Sequence, residues 1–318
     1  MNTLAYLARR IVQIPVVLIV TTLTIFIVVR ATPGDPVELM LGMQTSPDAV
    51  QAVREKFHLD KPLYQQYLIW LGDVIRGDLG SSIRLNRPVS QMLGERLIVS
   101  LQLATAAMLF ALLISIPLGI VAAIWRNTWV DYGATGYMVL GFSIPNFALA
   151  LILIYVFAVE LDWFPISGIG SSTSRGGGVW AFVSPFILPA VALGTVQTAY
   201  FGRLLRSSMI DVLGQDYIRT AHAKGLKPAV VIAVHALKNA MIPFVTMVAI
   251  HFGYMIGIQI TIEYIFAIPG MGLAVLTAVV NRDFPVVQGF TLVIAIFFLV
   301  TNIIADVLYT FLDPRIRY

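Results

Sequence analysis

Long apolar runs alternate with short polar intervals along this chain. Six runs stand out, over residues 11–29, 99–124, 132–159, roughly 186–201, 240–262 and 286–312. A helix of about 20 residues crosses roughly 30 Å of hydrocarbon, so five of the six are long enough to span a bilayer. The fourth is marginal, and Pro185 and Pro189 stand at its start. Pro117, Gly119 and Pro145 lie inside other runs, where neighbouring helices can cover the backbone they disturb. The pattern predicts an all-α membrane protein with six transmembrane helices. Arg9 and Arg10 precede the first run as in a signal peptide. That run is too long for a signal's apolar region, and Arg30-Ala31-Thr32-Pro33 is a poor cleavage site, so an uncleaved first span is expected.

The polar intervals divide the chain further. Residues 1–30 form an N-terminal segment with the first span, 31–97 a helical insertion, 98–312 the transmembrane core with a loop at 207–238, and 313–318 a tail. Within the insertion, Ser46-Pro47-Asp48 followed by Ala49 to Phe57 predicts a capped amphipathic helix, and Tyr64 to Ile75 a second one. Neither can bury a core alone, so both are expected to pack on the ends of the spans. Trp163 to Ser184, with its Ser-Ser-Thr-Ser and Gly-Gly-Gly stretches, predicts a flexible loop.

Composition agrees with the pattern. The 318 residues are 58% hydrophobic and 12% charged, with mean hydropathy +0.85. Soluble domains carry about 25% charged residues. The chain has no cysteine, which excludes disulfides, thiolate catalysis and cysteine-ligated metal. No basic stripe interleaved with aromatics points to nucleic acid. The distribution of charge says more than its net value of +4. With a cytoplasmic N-terminus, eleven Lys and Arg fall in cytoplasmic segments and only Arg175 and Arg282 in the short opposite loops. The interval from Arg30 to Arg96 is too long to count, and its eight basic and eight acidic residues cancel. Both termini are therefore expected in the cytoplasm.

The most informative polar interval is Asp216 to Pro228. It is short, basic and helix-forming, and it lies between two apolar runs. Gly225 fits the left-handed position after a helix, and Pro228 fits the first turn of the next. Ile218, Ala221 and Gly225 fall on one face, where small residues admit another backbone. A docking surface for a partner and a tight turn between two helix extensions are both compatible with these residues.

The order Arg219-Thr220-Ala221, three residues, Gly225, nine residues, then His235-Ala236-Leu237 resembles the EAA coupling loop of ABC-importer permeases. Arg219 and Thr220 replace Glu and Ala, and His235 and Lys238 replace Ile and Pro. These departures resemble the dipeptide, oligopeptide and glutathione branch. Six further segments are similar to that branch, in order: Ala31-Thr32-Pro33-Gly34-Asp35-Pro36, Arg76 to Ser82, Ser143-Ile144-Pro145-Asn146, Glu263 to Gly272, Asn281 to Gln288, and Asp313 to Tyr318. The resemblance implies a type I ABC importer permease fold in the bacterial inner membrane. It also implies import of short peptides by alternating access, with nickel chelates or another small solute as the alternative cargo. Tyr217, Arg219, Thr220, Ala221, Lys224, Gly225 and His235 would form the surface that couples to an ATPase.

No lysine in the chain is followed by Ser or Thr, so it has no P-loop. An ATP-driven role requires separate ATPase chains to bind ATP and Mg, and no cofactor is expected in this one. The resemblance implies a second homologous permease, two ATPases and an external substrate-binding protein as partners. Polar residues inside the apolar runs are candidates for the translocation pathway: Ser143, Asn146, Gln197, Gln259 and Glu263, with His251 and Asn302 beside them. Interhelical hydrogen bonding is the competing role for each. Asp306, near the cytoplasmic arginines, is read as structural. Pro269, Gly270 and Gly272 should break the helix after the fifth run and could form an outer gate.

Two rival readings meet objections in particular residues. Gly141-Phe142-Ser143 with His251 faintly resembles the dyad of a rhomboid protease, but Ile144 follows the serine where that family has glycine. An ion-driven transporter would carry mid-membrane carboxylates and internal repeats, and neither is found.

Overall fold

The computed structural model describes residues 3–31, 51, 54–55, 58–168 and 178–312; of 3–13 and 309–312 only the helical backbone is described. The described residues are helical apart from turns, loops and one isolated β-bridge between Ser81 and Pro88. In chain order the helices are α1 Thr3–Ala31, α2 Leu63–Ile75, α3 Val89–Ile124, α4 Trp129–Ser143, α5 Asn146–Glu160 and α6 Val179–Leu213. They continue with α7 Asp216–Ala223, α8 Pro228–Ile258, α9 Ile260–Ile265, α10 Met271–Val280 and α11 Phe284–Leu312. Residues 154–160 of α5 and 231–236 of α8 are π-helical. Among the described residues, five helices are long and apolar enough to cross a membrane: α1, α3, α6, α8 and α11. A sixth span results if α4 and α5 are taken together.

The centre of the bundle is the packing of α3 on α6, the most extensive contact between any two helices. Its cause is a ladder of small residues. On α3, Ala107, Ala111, Ser115, Gly119 and Ala123 recur every fourth position and are buried. On α6, Ala190, Gly194, Thr198 and Gly202 do the same. Apolar burial gives helices little reason to associate in lipid, so contact depends on backbones coming close. A Cβ on Gly194 would lie 2.7 Å from the Ala107 carbonyl oxygen, and one on Gly119 would lie 2.9 Å from Cβ of Leu205. Around this pair, α11 packs on α8 and α1, while α4 and α5 pack on α6.

Several expectations are corrected. The run over 132–159 is not one straight span: α4 and α5 meet at 99°. Pro145 is the cause. It holds Ile144 in extended conformation (φ −90°, ψ 120°), so α4 stops at Ser143. The marginal fourth run is instead part of the 35-residue α6, which carries Pro185 and Pro189 inside its early turns. Residues 179–184, expected in a loop, are its first turns, while residues 169–177 of that loop lie outside the described ones. The second span begins at Val89, ten residues before the apolar run. Most of the Ala49–Phe57 helix and the 313–318 tail also lie outside the described residues. The second insertion helix is present as α2, and it packs on the end of α1. Tyr67 sits edge-on to Phe26 at 5.4 Å, and its hydroxyl is 3.0 Å from that of Thr22.

Polar clamps close each end of the bundle. At the α7 end, Asp131 is 2% exposed and receives both Arg206 Nε and Nη2 at 2.7 Å, joining α4 to α6. At the opposite end, Asp283 accepts from Ser82 Oγ and from the Ile83 amide at 3.0 Å. That contact fixes the stem before α3 to the start of α11.

Gly194→Val should overpack the α3–α6 crossing and cost about 1–3 kcal/mol. Gly133→Ala, on the exposed side of α4 with nothing within 4 Å of its added Cβ, should be neutral or stabilising by up to about 1 kcal/mol. Thermal unfolding of the two variants in one detergent would check the contrast.

Candidate functional site

The first candidate is the α7 loop. Gln215 caps α7 in extended conformation, and Asp216 stands in the first turn, where the helix dipole favours an acid. At the other end Gly225 adopts φ +74°. Its amide donates to His222 O at 2.9 Å, and the Leu226 amide reaches Ala221 O at 3.3 Å. This is the paired bonding of a Schellman stop. Pro228 then opens the next helix at its first turn.

Burial splits the two faces of α7. Ile218 and Ala221 are 2% and 7% exposed and join the apolar cluster of Leu205 and Met209 on α6 and Val231 and Ala236 on α8. Tyr217 is 44% exposed, and its hydroxyl accepts from Asn239 Nδ2 at 3.0 Å, which ties α7 to α8 a second time. Arg219, Thr220, His222, Ala223, Lys224 and Gly225 face solvent, and His235 is half-buried in the π-helical turn. The expectation that the face of Ile218 and Ala221 admits a partner backbone is therefore corrected: the chain's own α6 and α8 fill it. The face left for another molecule is the one bearing Arg219, Thr220 and His222. Arg219 and Asp216 approach to 3.4 Å with both side chains mostly solvated, so the pair holds little energy and both stay free to regroup.

The second candidate is a buried polar turn. Gln259 and Glu263 are both fully buried. Glu263 Oε1 accepts from Ser100 Oγ at 2.6 Å, and Oε2 accepts from the Leu273 amide at 2.9 Å. Ser100 Oγ in turn accepts from the Met271 amide at 2.7 Å, and Gln259 Nε2 donates to Ser100 O at 3.2 Å. Gly270 passes so close that an added Cβ would collide with the Glu263 carboxylate, and one on Gly272 would lie 2.7 Å from the Ile260 backbone. The structure thus joins the predicted pathway residues Gln259 and Glu263 to the predicted gate residues Gly270 and Gly272. Pro269 is half-buried in the turn between α9 and α10. Ser100 and the two amides complete the knot. Nothing in the sequence singled them out, since a serine at the start of an apolar run is unremarked.

The remaining candidates are scattered. Ser143 is exposed at the α4–α5 bend and donates to Val139 O at 2.8 Å in its own helix. Asn146, across the bend, holds a buried Oδ1 with no hydrogen bond. Gln197 Oε1 lies 2.8 Å from His251 Nδ1, and the imidazole stacks on Tyr200 at 4.4 Å. Ser143 and His251 therefore have separate partners and no hydrogen bond between them. Asn302 bonds the Phe298 carbonyl one turn back. Asp131 with Arg206, and Asp283 with Ser82, were missed because their pairing depends on the third dimension.

Glu263→Ala should cost about 1–3 kcal/mol by orphaning the donors around it, and Gly270→Ala should displace the carboxylate. Hydrogen exchange at the Met271 and Leu273 amides should accelerate in both, with exchange in α6 unchanged.

Comparison with known proteins fits this architecture. Residues 115–318 match the family described as binding-protein-dependent transport system inner membrane component, and residues 3–104 match its N-terminal companion. The dipeptide transport system permease protein DppB of Alkalihalophilus pseudofirmus is 39% identical, over 99% of this chain and 100% of its own. The glutathione transport system permease protein GsiC of Escherichia coli O6:H1 is 38% identical, over 99% of each chain. A putative peptide transport system permease of Brucella abortus is 40% identical over the same shares. Among solved structures, an inward-facing methionine ABC transporter aligns with TM-score 0.58 at 15% identity, covering 70% of this chain and 97% of that one. An amino acid ABC transporter aligns with TM-score 0.50 at 16% identity, covering 71% and 95%. The chain belongs to the family of binding-protein-dependent transport system inner membrane components.

Proposed function

We propose that this chain is one half of the translocation pathway of an ATP-driven importer of short peptides. A second homologous permease, two ATPase subunits and an external substrate-binding protein complete the assembly. The peptide class rests on the relatives, whose names specify dipeptide, glutathione and peptide transport. In this reading both termini and α7 face the cytoplasm, ATP and Mg are bound by the partner ATPases, and the α9–α10 turn lies at the outer side.

The observation that carries the mechanism is the division of α7 into an anchored and a free face. Ile218 and Ala221 root it between α6 and α8, while Arg219, Thr220 and Lys224 stand in solvent. A partner gripping the free face moves both helices, because α7 cannot slide over them without unpacking. ATP binding then favours one arrangement of the bundle through differential contact in the two states, with no need for tight hold on cargo. In the same reading Gln259 and Glu263 hold the gate turn against α3, and Gln197, Ser143 and Asn146 supply the polar surface of the pathway.

Two measurements test this. With no native cysteine, single variants can report sidedness: Ser172→Cys should react with impermeant maleimide from outside, and His222→Cys only after the membrane is opened. Reversed labelling would overturn the orientation. Gly225→Pro cannot keep the positive φ and should abolish peptide uptake by the reconstituted importer while membrane insertion and ATPase copurification persist. Uptake at the unchanged rate would remove α7 from the mechanism.

A further inference from the structure

A cavity of about 270 Å³ lies where the end of α1 meets α2, the stem before α3 and the start of α11. Four buried polar atoms of its lining residues have no hydrogen-bond partner among the described residues: Arg30 Nε, Trp70 Nε1, Gln288 Nε2 and Gln66 Oε1. Gln288 and Gln66 are only 3% and 7% exposed. The Arg30 guanidinium is held between rings, 5.5 Å from the centroid of Phe26 and 5.3 Å from that of Phe284. Asp73, Asp78, His58 and Ser81 also line it. Asp73 Oδ1 lies 3.7 Å from Arg76 and Asp78 Oδ1 accepts from the Gly80 amide at 2.8 Å, which leaves the second oxygen of each carboxylate to face a ligand. The cavity therefore offers one positive group with two further N–H donors, beside two carboxylates, an amide oxygen, an imidazole and a hydroxyl.

Arg30 also borders a second space. An apolar groove of about 510 Å³ runs between α1 and α2, lined by Leu23, Ile27, Leu63, Tyr64 and Leu68. Leu63, Tyr64 and Leu68 are more than half exposed. The end of a membrane span is where aromatic residues and a terminal arginine meet lipid headgroups. Orphaned buried donors cost about 1–3 kcal/mol each unless something fills the space. Water would answer the polar cavity but not the adjoining hydrocarbon groove. A free zwitterion would leave that groove empty as well.

We propose that the two spaces bind one phospholipid with an ammonium headgroup, of the phosphatidylethanolamine class. Its phosphate is taken by Arg30, Trp70 and Gln288, and its ammonium by Asp73, Asp78 and the Gln66 oxygen. One acyl chain lies in the α1–α2 groove. An anionic headgroup without an amine fits less well, because it places net negative charge against Asp73 and Asp78. The site is separate from cargo and from the coupling surface, and it splints α2 to the bundle through lipid.

The test uses the whole importer, extracted in mild detergent and exchanged into vesicles of phosphatidylethanolamine or of phosphatidylglycerol. Native mass spectrometry then counts the phospholipid retained after detergent washing. The wild type should retain phosphatidylethanolamine in preference to phosphatidylglycerol. R30Q removes a charge-assisted contact and should lower occupancy by about tenfold. L68W fills the groove from the lipid-exposed side without touching the core and should do the same, with thermal unfolding as the control for folding. Equal retention of both lipids, no retained phospholipid in the wild type, or full retention in a folded L68W would each overturn the proposal.

Discussion

The structure depends on how closely α3 and α6 approach. A small residue every fourth position on both helices lets backbones touch where an ordinary apolar side chain would hold them apart. The consequence reaches both ends of the molecule. α6 runs on into the turn that carries α7, and its Arg206 is locked to Asp131 of α4. Ser100, in the first third of α3, holds the Glu263 knot and through it the α9–α10 turn. The two functional candidates thus hang from opposite ends of one tightly packed helix pair. A looser crossing would leave each attached to a separate element.

Buried polar groups follow a consistent rule. A carboxylate inside a membrane protein is tolerable only when its oxygens are satisfied. Glu263 meets that condition with a hydroxyl and an amide, Asp131 with an arginine, and Asp283 with a hydroxyl and amides. Each bridges segments far apart in sequence. The strongest polar residues in the spans are thereby committed to architecture. The polar side chains left over are mild: Ser143 exposed at a bend, Tyr254 exposed and Tyr200 half-buried beside His251, and Tyr264 exposed near the turn.

Much of this was legible in the sequence. The apolar runs gave α1, α3, α8 and α11, and the Gly225–Pro228 punctuation located α7 and its stop to within a residue. Those features are local, set by hydrophobic length, by a positive φ only glycine adopts freely, and by a proline without an amide hydrogen. The bend at Pro145 was not foreseen, because a proline inside an apolar run is compatible with a kink, a break or a nearly straight helix. Pro185 and Pro189 show the opposite outcome in α6. Which occurs depends on neighbouring helices. The face assignment of α7 was likewise beyond reach. Periodicity placed Ile218 and Ala221 together but could not say whether the chain or a partner covers them. Ser100 and Asp131 escaped notice because a lone polar residue acquires its meaning from a partner more than seventy positions away.

The anchoring of α7 bears on how force could pass through the chain. Its exposed face carries the weak Arg219–Asp216 pair and the Thr220 hydroxyl's bond to the Asp216 carbonyl within the same helix, so a partner meets side chains that rearrange at little cost. Its buried face has the opposite character, with Ile218 in the core and Tyr217 bonded to Asn239. Deformation under load therefore concentrates at the outer surface and in the backbone beyond Gly225, where the π-helical turn of α8 begins. A π-helical turn carries one residue more than an α-turn and is a natural place for a register change. α7 is tied to both neighbours: a two-residue turn joins it to α6, and the Tyr217–Asn239 bond with the packing on Val231 and Ala236 joins it to α8. Motion imposed on α7 would then reach both helices, and the π-helical turn of α8 is where a change of register can be taken up without unpacking Ile218 and Ala221.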